Sequence, residues 1–432
     1  MRLVGAVRAG AWSTVAGYGL FVALMVAGYY YNLTFVQLGL LDLGTRVIGL
    51  SPSLVSAWMA VLALATLGVA VATGVTMDRR GWSTALRTKL RLLLGVVVLQ
   101  LALTVIAPEL DSNLAFGAWI LTAAVGLGVG FPVSFSLATD LIPVPDRGYV
   151  AAAITAIAYV AANAVPLEWS IHVFRDAMLV AMLPGLAVLL LLVSGRVTAL
   201  QRLVDDLATQ HQKIGPGRFC RAAPIRTRSA AFFVPVGLVF AVFFIDSLGF
   251  LRIVETPALL LASWQSPAIE TRLFIAGAHV VGAIAAGVLY VNFDRSRLFL
   301  WTFALFALTH VLYTSDLRLA AAFPSIAGGP SPLNPAIYAV AVSFYTTLNF
   351  AIWPDLSTPT TVGTRSAIGI GVGGWLATFL STALALYFGA VELPLLSHLN
   401  VVQALSLLTL FVLAIGLYAR RAVAVSREAR SV

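Results

Sequence analysis

One acidic residue lies well inside an apolar run that is long enough to cross a membrane. Asp246 is the acid of the segment 241–249, which otherwise contains apolar residues, one serine and one glycine. An ionisable residue at membrane depth is costly and usually faces a partner or a water-filled cavity. A carboxylate that meets the two sides of a membrane in turn can take up and release a proton. The alternative interpretation is an acid near the outer surface that pairs with Arg252.

Uncharged polar residues also occur within the apolar runs. Tyr30 and Asn32 belong to one cluster of three tyrosines and an asparagine. Other runs contain single polar residues, namely Gln100, Asn163, His279, His310 and Asn349. Each of these side chains is a candidate for lining a binding cavity, but a lone amide or imidazole in a helix bundle also serves as an interhelical hydrogen-bond partner.

The sequence offers little for metal, nucleotide or catalytic chemistry. His279 and His310 have no acidic or sulfur neighbour at ligand spacing, so no metal site is predicted. There is no glycine-rich loop followed by Lys and Ser or Thr, so ATP is not expected to drive the protein. The single cysteine, Cys220, allows no disulfide framework. The remaining acids are scattered singly over many loops, so we expect neither a cofactor nor an enzyme.

The composition places these residues in a membrane protein. Of the 432 residues, 60% are hydrophobic and only 10% are charged, and the mean hydropathy is +0.95. A water-soluble globule of this length has too little interior to hide so much apolar surface. The net charge of +9 is spread over short loops rather than gathered on one basic face, so nucleic acid is not an expected partner.

Apolar runs long enough to cross about 30 Å of hydrocarbon occur twelve times. They cover residues 13–37, 53–77, 90–107, 113–138, 148–166, 173–194, 230–251, 271–292, 298–314, 336–353, 366–389 and 398–419. We take the first run as a retained helix rather than a signal peptide, because it is longer than a typical signal core. The sequence therefore predicts an all-α integral membrane protein with twelve transmembrane helices.

A charged motif separates the second and third runs. Gly74, Asp78, Arg79 and Gly81 have the spacing Gly-x-x-x-Asp-Arg-x-Gly between two hydrophobic helices. The pattern resembles the loop between the second and third helices of the major facilitator superfamily of transporters, although Trp82 stands where that family usually has a basic residue. A carboxylate at the C-terminal end of a helix is disfavoured by the helix dipole, so Asp78 should have a partner outside its own helix.

Two acidic and basic pairs of the first half recur in the second half, and their aspartates are 216 and 215 residues apart. The four pairs are Asp78 with Arg79, Asp294 with Arg295, Asp140 with Arg147, and Asp355 with Arg365. A parallel repeat of two six-helix halves is typical of the major facilitator fold. We predict an N-terminal six-helix bundle over 1–194, a cytoplasmic linker with an amphipathic helix over 195–229, and a C-terminal six-helix bundle over 230–432.

The resemblance implies roles for these residues. The four charged pairs, together with Gly74 and Gly81, are expected to form the cytoplasmic gate, in which Asp78 engages the start of the eleventh helix near Arg365. The first and seventh helices line the central cavity in that family. Tyr30 and Asp246, which are 216 residues apart, are therefore the foremost candidates for contact with substrate.

The distribution of positive charge predicts the orientation. With both termini inside, 22 Lys and Arg residues fall on the cytoplasmic side and 5 fall on the other side. Because positive charge is retained on the cytoplasmic side, we predict a multi-pass protein of the cell (plasma) membrane with both termini in the cytoplasm.

The leading hypothesis is a monomeric secondary transporter that moves a small organic solute by alternating access, as symporter or uniporter. Proton coupling is one option for its energy source, and the weakly charged cavity favours a neutral or amphiphilic solute over a highly charged one. The alternative hypothesis is a transport-inactive relative that acts as a membrane scaffold or receptor.

Overall fold

Long apolar helices account for most of the chain. A computed structural model describes residues 2–164, 170–214, 230–261, 263–293, 295–323 and 331–430. The long helices of the first half are α1 (Trp12–Val47), α2 (Pro52–Arg79), α3 (Leu86–Ile106), α4 (Asn113–Ser136), α5 (Arg147–Ala164) and α6 (Ile171–Ser194). Those of the second half are α7 (Ala230–Val254), α8 (Ile269–Asn292), α9 (Arg295–Ala322), α10 (Leu333–Asp355), α11 (Val362–Ala390) and α12 (Leu395–Arg430).

Eleven helices in the described part of the chain are long and apolar enough to cross a membrane. α5 differs from them because its 18 residues include Arg147 and Asn163, which lower its hydropathy. It nevertheless lies among the other helices and packs against α1, α8 and α10. With α5 counted, the twelve-helix, all-α membrane architecture expected from the sequence is confirmed.

Many of the predicted spans are shorter than the helices, and α1 and α9 illustrate the difference. α1 was expected to end at residue 37 but continues to Val47, and α9 was expected over 298–314 but covers Arg295–Ala322. In α1 the polar residue Asp42 is accommodated inside the helix, because one carboxylate oxygen accepts a 2.8 Å hydrogen bond from the backbone N–H of Ile171 at the start of α6. The other oxygen pairs with Arg46 at 3.2 Å. A hydropathy pattern places the end of a span before a charged residue. In the folded protein the helix can continue past that residue, because its charge has a partner.

The helix ends fall on two sides of the bundle. We call one side the charged end: α2, α4, α8 and α10 end there, and α3, α5, α9 and α11 begin there. The contacts that connect the two sets of six helices include α2 with α11 and α5 with α8. The exact limits 1–194, 195–229 and 230–432 stay a prediction.

The linker contains the amphipathic helix that the sequence predicts, from Thr198 to Ile214. Its apolar residues Val204 and Leu207 are buried against protein, and the helix packs against α1, α3 and α6. Arg87 at the start of α3 forms an ion pair with Asp205 of this helix. The helix is therefore attached to the charged end of the bundle as well as suited to a membrane surface. The part of the predicted linker that follows Ile214, residues 215–229 with Cys220, lies outside the described residues.

The orientation can be tested with single cysteines in a Cys220→Ser background. We expect a cysteine at the exposed Thr84, which follows α2 at the charged end, to react with an impermeant thiol reagent only from the cytoplasm. A cysteine at the exposed Ser331, which precedes α10 at the opposite end, should react only from outside. The measurement is labelling of intact cells against opened membranes, and the reverse pattern at either position would contradict the predicted orientation.

Candidate functional site

A cavity of about 320 Å³ lies within the bundle and is bordered by residues of α1, α3, α4, α5, α6, α7, α8, α10 and α11. Its walls are mainly apolar, and many of the lining side chains are aromatic. The aromatic residues of the lining are Tyr29, Tyr30, Tyr31, Phe131, Phe135, Tyr159, Phe174, Phe243, Phe250, Trp264, Tyr338, Tyr345, Phe350 and Trp375. Among the described lining residues, Asp246 is the only acid, and no lysine or arginine is present.

The structure brings seven of the eight polar candidates to this one cavity. Its lining includes Tyr30, Asn32, Gln100, Asn163, Asp246, His279 and Asn349. These residues come from α1, α3, α5, α7, α8 and α10, so no pair of neighbouring helices could have formed the site alone. His310, which the sequence also offers, is buried but does not belong to the described lining.

Asp246 is 8% exposed and is held by two tyrosines of α10. The hydroxyl of Tyr345 donates to one carboxylate oxygen at 2.5 Å, and the hydroxyl of Tyr338 donates to the other. Arg252, the alternative partner considered from the sequence, instead pairs with Glu255 at 3.3 Å. A carboxylate has about four acceptor positions, so two hydroxyl donors leave room for a ligand or for a proton.

A chain of polar contacts crosses the cavity from the first half to the second. The hydroxyls of Tyr29 in α1 and Tyr159 in α5 are 2.6 Å apart, and Tyr159 is 3.3 Å from the hydroxyl of Thr346 in α10. The Tyr159 ring stacks on the imidazole of His279 with 4.1 Å between the ring centroids. His279 Nδ1 in turn lies 2.9 Å from the hydroxyl of Ser343. The cavity wall thus couples α1, α5, α8 and α10.

The three asparagine candidates are fixed by contacts within their own helices. Asn32 and Asn163 each donate from Nδ2 to the backbone carbonyl four residues earlier, at 2.7 and 2.8 Å. Asn349 accepts a 2.8 Å hydrogen bond from the indole of Trp353. Because a backbone carbonyl can only accept, the first two contacts determine that Oδ1 is the free side of Asn32 and Asn163. Both oxygens are buried and have no hydrogen-bond partner in the part of the chain that the structure describes.

The tyrosines that hold Asp246 were missed from the sequence. Tyr338, Val342, Tyr345 and Asn349 are spaced by four, three and four residues, so they form one face of α10. That spacing was a signal for a shared surface, but a tyrosine in an apolar helix is also compatible with simple packing. This surface of α10 becomes the wall of a site only because α7 packs against it.

Two helices that border the cavity contain π-helical turns. They cover Asn32–Gly39 and Leu43–Val47 in α1 and Gly369–Leu376 in α11. A π-helical turn interrupts the regular helical rotation and is frequent at functional sites. In α11 the segment is rich in glycine, which permits close packing of Gly369 against the Trp353 indole. These segments set the directions of Asn32 and Trp375 relative to the rest of their helices.

Asp78 of the charged motif lies at the beginning of α11. Its carboxylate accepts hydrogen bonds from the backbone N–H groups of Gly363 at 3.0 Å and Thr364 at 2.7 Å. The hydroxyl of Ser83 donates a third, at 2.5 Å. A negative group at a helix N-terminus is favoured by the unpaired N–H groups and by the helix dipole. The dipole cost that Asp78 has at the end of α2 is thus offset by the N-terminus of α11.

Glycines of the charged end allow the helices of the two halves to touch. A Cβ placed on Gly363 would lie 2.7 Å from the carbonyl oxygen of Gly74. At the second crossing, a Cβ placed on Gly287 of α8 would lie 2.8 Å from the carbonyl oxygen of Gly148 in α5. Gly81 of the motif has a different role. Its φ of 70° lies in the left-handed region, a conformation that terminates α2.

Asp140 is bound within the first half of the chain. It forms an ion pair with Lys89 of α3, whose side chain is fully buried. The Lys89 ammonium also donates to the backbone carbonyl of Ser83 at 2.8 Å. Ser83 therefore links Lys89 to Asp78. Lys89 directly precedes the predicted third span, 90–107, and its burial is visible only once α3 packs against the motif loop.

Asp355 is the centre of a second charged cluster, which connects the two halves. Arg147 of α5 pairs with one oxygen at 2.8 Å, and both side chains of this pair are 2% exposed. Arg295 and the hydroxyl of Tyr290 contact the other oxygen at 3.1 and 2.9 Å. Breaking such a buried pair costs roughly 3–5 kcal/mol, because one charge is left without its partner.

The other predicted gate residues are placed less centrally. Arg365 is buried and donates to the backbone carbonyl of Leu356, whereas Arg79 is exposed. Asp294 lies outside the described residues. The geometry thus puts Asp78, Gly74, Arg147 and Asp355 at direct contacts between the halves, while their part in gating stays a prediction.

Comparison with solved structures identifies the fold. The chain matches the proton:xylose symporter XylE bound to 6-bromo-6-deoxy-D-glucose (TM-score 0.57, 12% identity, 92% of this chain and 95% of that chain). It also matches the human organic anion transporter MFSD10 (TETRAN) (0.53, 16%, 93% and 99%). A third match is a bacterial homologue of the iron transporter ferroportin in the outward-facing state (0.56, 12%, 93% and 98%).

These similarities show that the chain has the fold of the major facilitator superfamily. No protein-family model matches the chain, and no curated protein matches its sequence. The fold is therefore established by structure, over more than nine-tenths of the chain, and the neighbours are described as transport proteins rather than as enzymes.

The contact of Asp78 with α11 leads to a prediction about conformation. Asp78→Asn removes the charge that strengthens the hydrogen bonds from Gly363 and Thr364, a loss of about 1.5 kcal/mol or more. We expect the population with a separated charged end to rise roughly tenfold. Spin labels at Thr84 and Thr360, both exposed, should then show a longer-distance population.

The matched control is Asp205→Asn, which removes a charge from an exposed ion pair at the same end. Exposed pairs contribute little, so its distance distribution should equal that of the unsubstituted protein. An unchanged distribution in Asp78→Asn would contradict the proposed contribution of this contact.

Proposed function

We propose that the chain is a secondary transporter that moves a small organic solute across the membrane by alternating access, with proton coupling at Asp246. The observation that carries this proposal is the position of Asp246, a buried acid in the wall of a cavity between the two halves, bound by neutral hydroxyls. The major facilitator fold supports it, and so does its similarity to a proton:xylose symporter and an organic anion transporter.

The contacts at the charged end supply the second requirement, a barrier that can open. Asp78 with the α11 N-terminus and Arg147 with Asp355 connect helices of different halves. Polar and ionic contacts can be exchanged for contacts with water when the ends separate, whereas an apolar core would resist this. Alternating access then consists of breaking these contacts while others form at the opposite end.

Asp246 is suited to couple this motion to a proton. Its carboxyl group is charged or neutral according to how much water reaches it, and alternating access changes that exposure. The titratable groups around it are Tyr338 and Tyr345 of α10, Tyr29 of α1, Tyr159 of α5 and His279 of α8. The tyrosines remain protonated near neutral pH. Of the two other groups, His279 is stacked on Tyr159 and lies 2.9 Å from the Ser343 hydroxyl, whereas Asp246 keeps acceptor positions for a proton.

The decisive experiment compares uphill and downhill flux in liposomes. Ligands are first found as compounds that raise the unfolding temperature of the purified protein, because a ligand of the folded state stabilises it. With only a pH difference supplied, we expect the unsubstituted protein to accumulate such a ligand. Asp246→Asn should retain exchange down a gradient but lose accumulation.

The matched control is Asp111→Asn, which removes an exposed acid from the connection between α3 and α4. It should accumulate ligand as the unsubstituted protein does. A folded Asp246→Asn that still accumulates ligand would show that the coupling role is wrong. Stabilisation by ligands without any flux would favour the alternative, a receptor or scaffold.

A further inference from the structure

The charge of the cavity lining restricts the solutes that it can bind. Asp246 is the only acid among the described lining residues, and there is no lysine or arginine to balance an anionic ligand. Burying a charge without a partner costs several kcal/mol. An anion in this cavity would therefore be strongly disfavoured. A ligand with one positive charge would instead pair with Asp246.

Aromatic rings surround the carboxylate. Phe243 meets the Tyr345 ring edge to face at 4.5 Å between centroids, and Phe250 stacks on Tyr338 at 5.9 Å. The faces of such rings carry negative electrostatic potential, which attracts a cation and repels an anion. The same rings also offer apolar surface to the hydrocarbon part of a ligand.

Unpaired acceptors point to a ligand with N–H donors. Asn32 and Asn163 belong to the cavity lining, and their Nδ2 groups donate to backbone carbonyls. Their Oδ1 atoms are buried and have no hydrogen-bond partner among the described residues. A buried acceptor without a partner is unfavourable and usually indicates a missing water or ligand. A protonated primary amine carries three N–H donors and no acceptor.

We propose that the cavity is selective for a monovalent organic cation of the protonated-amine type, with an apolar or aromatic remainder. The ammonium group binds at Asp246, and the remainder packs against the aromatic walls. A second positive charge would find no second acid in the described lining. The volume of about 320 Å³ is at the lower end of small-molecule sites, which fits a compact amine. This inference rests on the proposed function, since it concerns the same cavity.

The test is a series of compounds that differ only in their head group. Phenethylammonium, 2-phenylethanol and 3-phenylpropanoate are titrated into the purified protein, and binding is measured by calorimetry. We expect the ammonium compound to bind at least about tenfold more tightly than the alcohol, and the carboxylate not to bind. Equal or tighter binding of the alcohol or the carboxylate, or no binding of the ammonium compound, would overturn the proposal.

Variants of Asp246 test the assigned position. Asp246→Asn keeps the shape but removes the charge, so the ammonium compound should lose its advantage over the alcohol. Asp246→Glu keeps the charge and should keep the preference. The unfolding temperature reports whether each variant is folded. If Asp246→Asn does not fold, the head-group series on the unsubstituted protein still decides the question.

Flux measurements separate this inference from the proposed function. Entry of labelled phenethylammonium into liposomes that contain the protein, beyond its entry into protein-free liposomes, reports transport by the protein. Selective binding of cations without flux would contradict the transporter function and support the cation site. Flux of a neutral or anionic solute without cation binding would contradict the cation site and support the transporter function.

Discussion

Every charge buried in a membrane protein needs a partner supplied by the protein itself, and this constraint accounts for much of the structure. Asp78 is satisfied by the N-terminus of α11, Asp140 by Lys89, and Asp355 by two arginines and a tyrosine. Asp246 is satisfied only by neutral hydroxyls in the described part of the chain. The first three carboxylates hold helices together, whereas the fourth keeps its capacity to bind a further positive group.

The two kinds of carboxylate lie at different depths, and that separation suits a carrier. The fully paired acids lie at the charged end, where helices of the two halves approach through glycines. Their contacts are directional, so a modest separation of the halves breaks them together. Asp246 lies in the cavity wall, where apolar and aromatic neighbours keep water scarce. Motion at the charged end can therefore change the surroundings of Asp246 without a direct contact between the two regions.

The repeat between the two halves is imperfect, and the differences serve distinct contacts. Gly74 of the first half permits close packing on Gly363, whereas Tyr290, which occupies the equivalent position 216 residues later, donates its hydroxyl to Asp355. One crossing thus depends on the absence of a side chain and the other on the presence of one. The cavity is asymmetric in the same sense, with Tyr30 in α1 at the position equivalent to Asp246 in α7.

The sequence by itself determined the membrane class, the helical architecture and the candidate residues, because hydropathy, charge spacing and the repeat are local or periodic properties. It also indicated that Asp78 needs a partner at another helix. The tertiary structure decided which residues pair with one another. Asp246 is bound by Tyr338 and Tyr345 rather than Arg252, and Lys89, which directly precedes the predicted third span, is buried and paired with Asp140. Such contacts join residues on different helices, so they depend on helix rotation and packing, which a one-dimensional pattern does not encode.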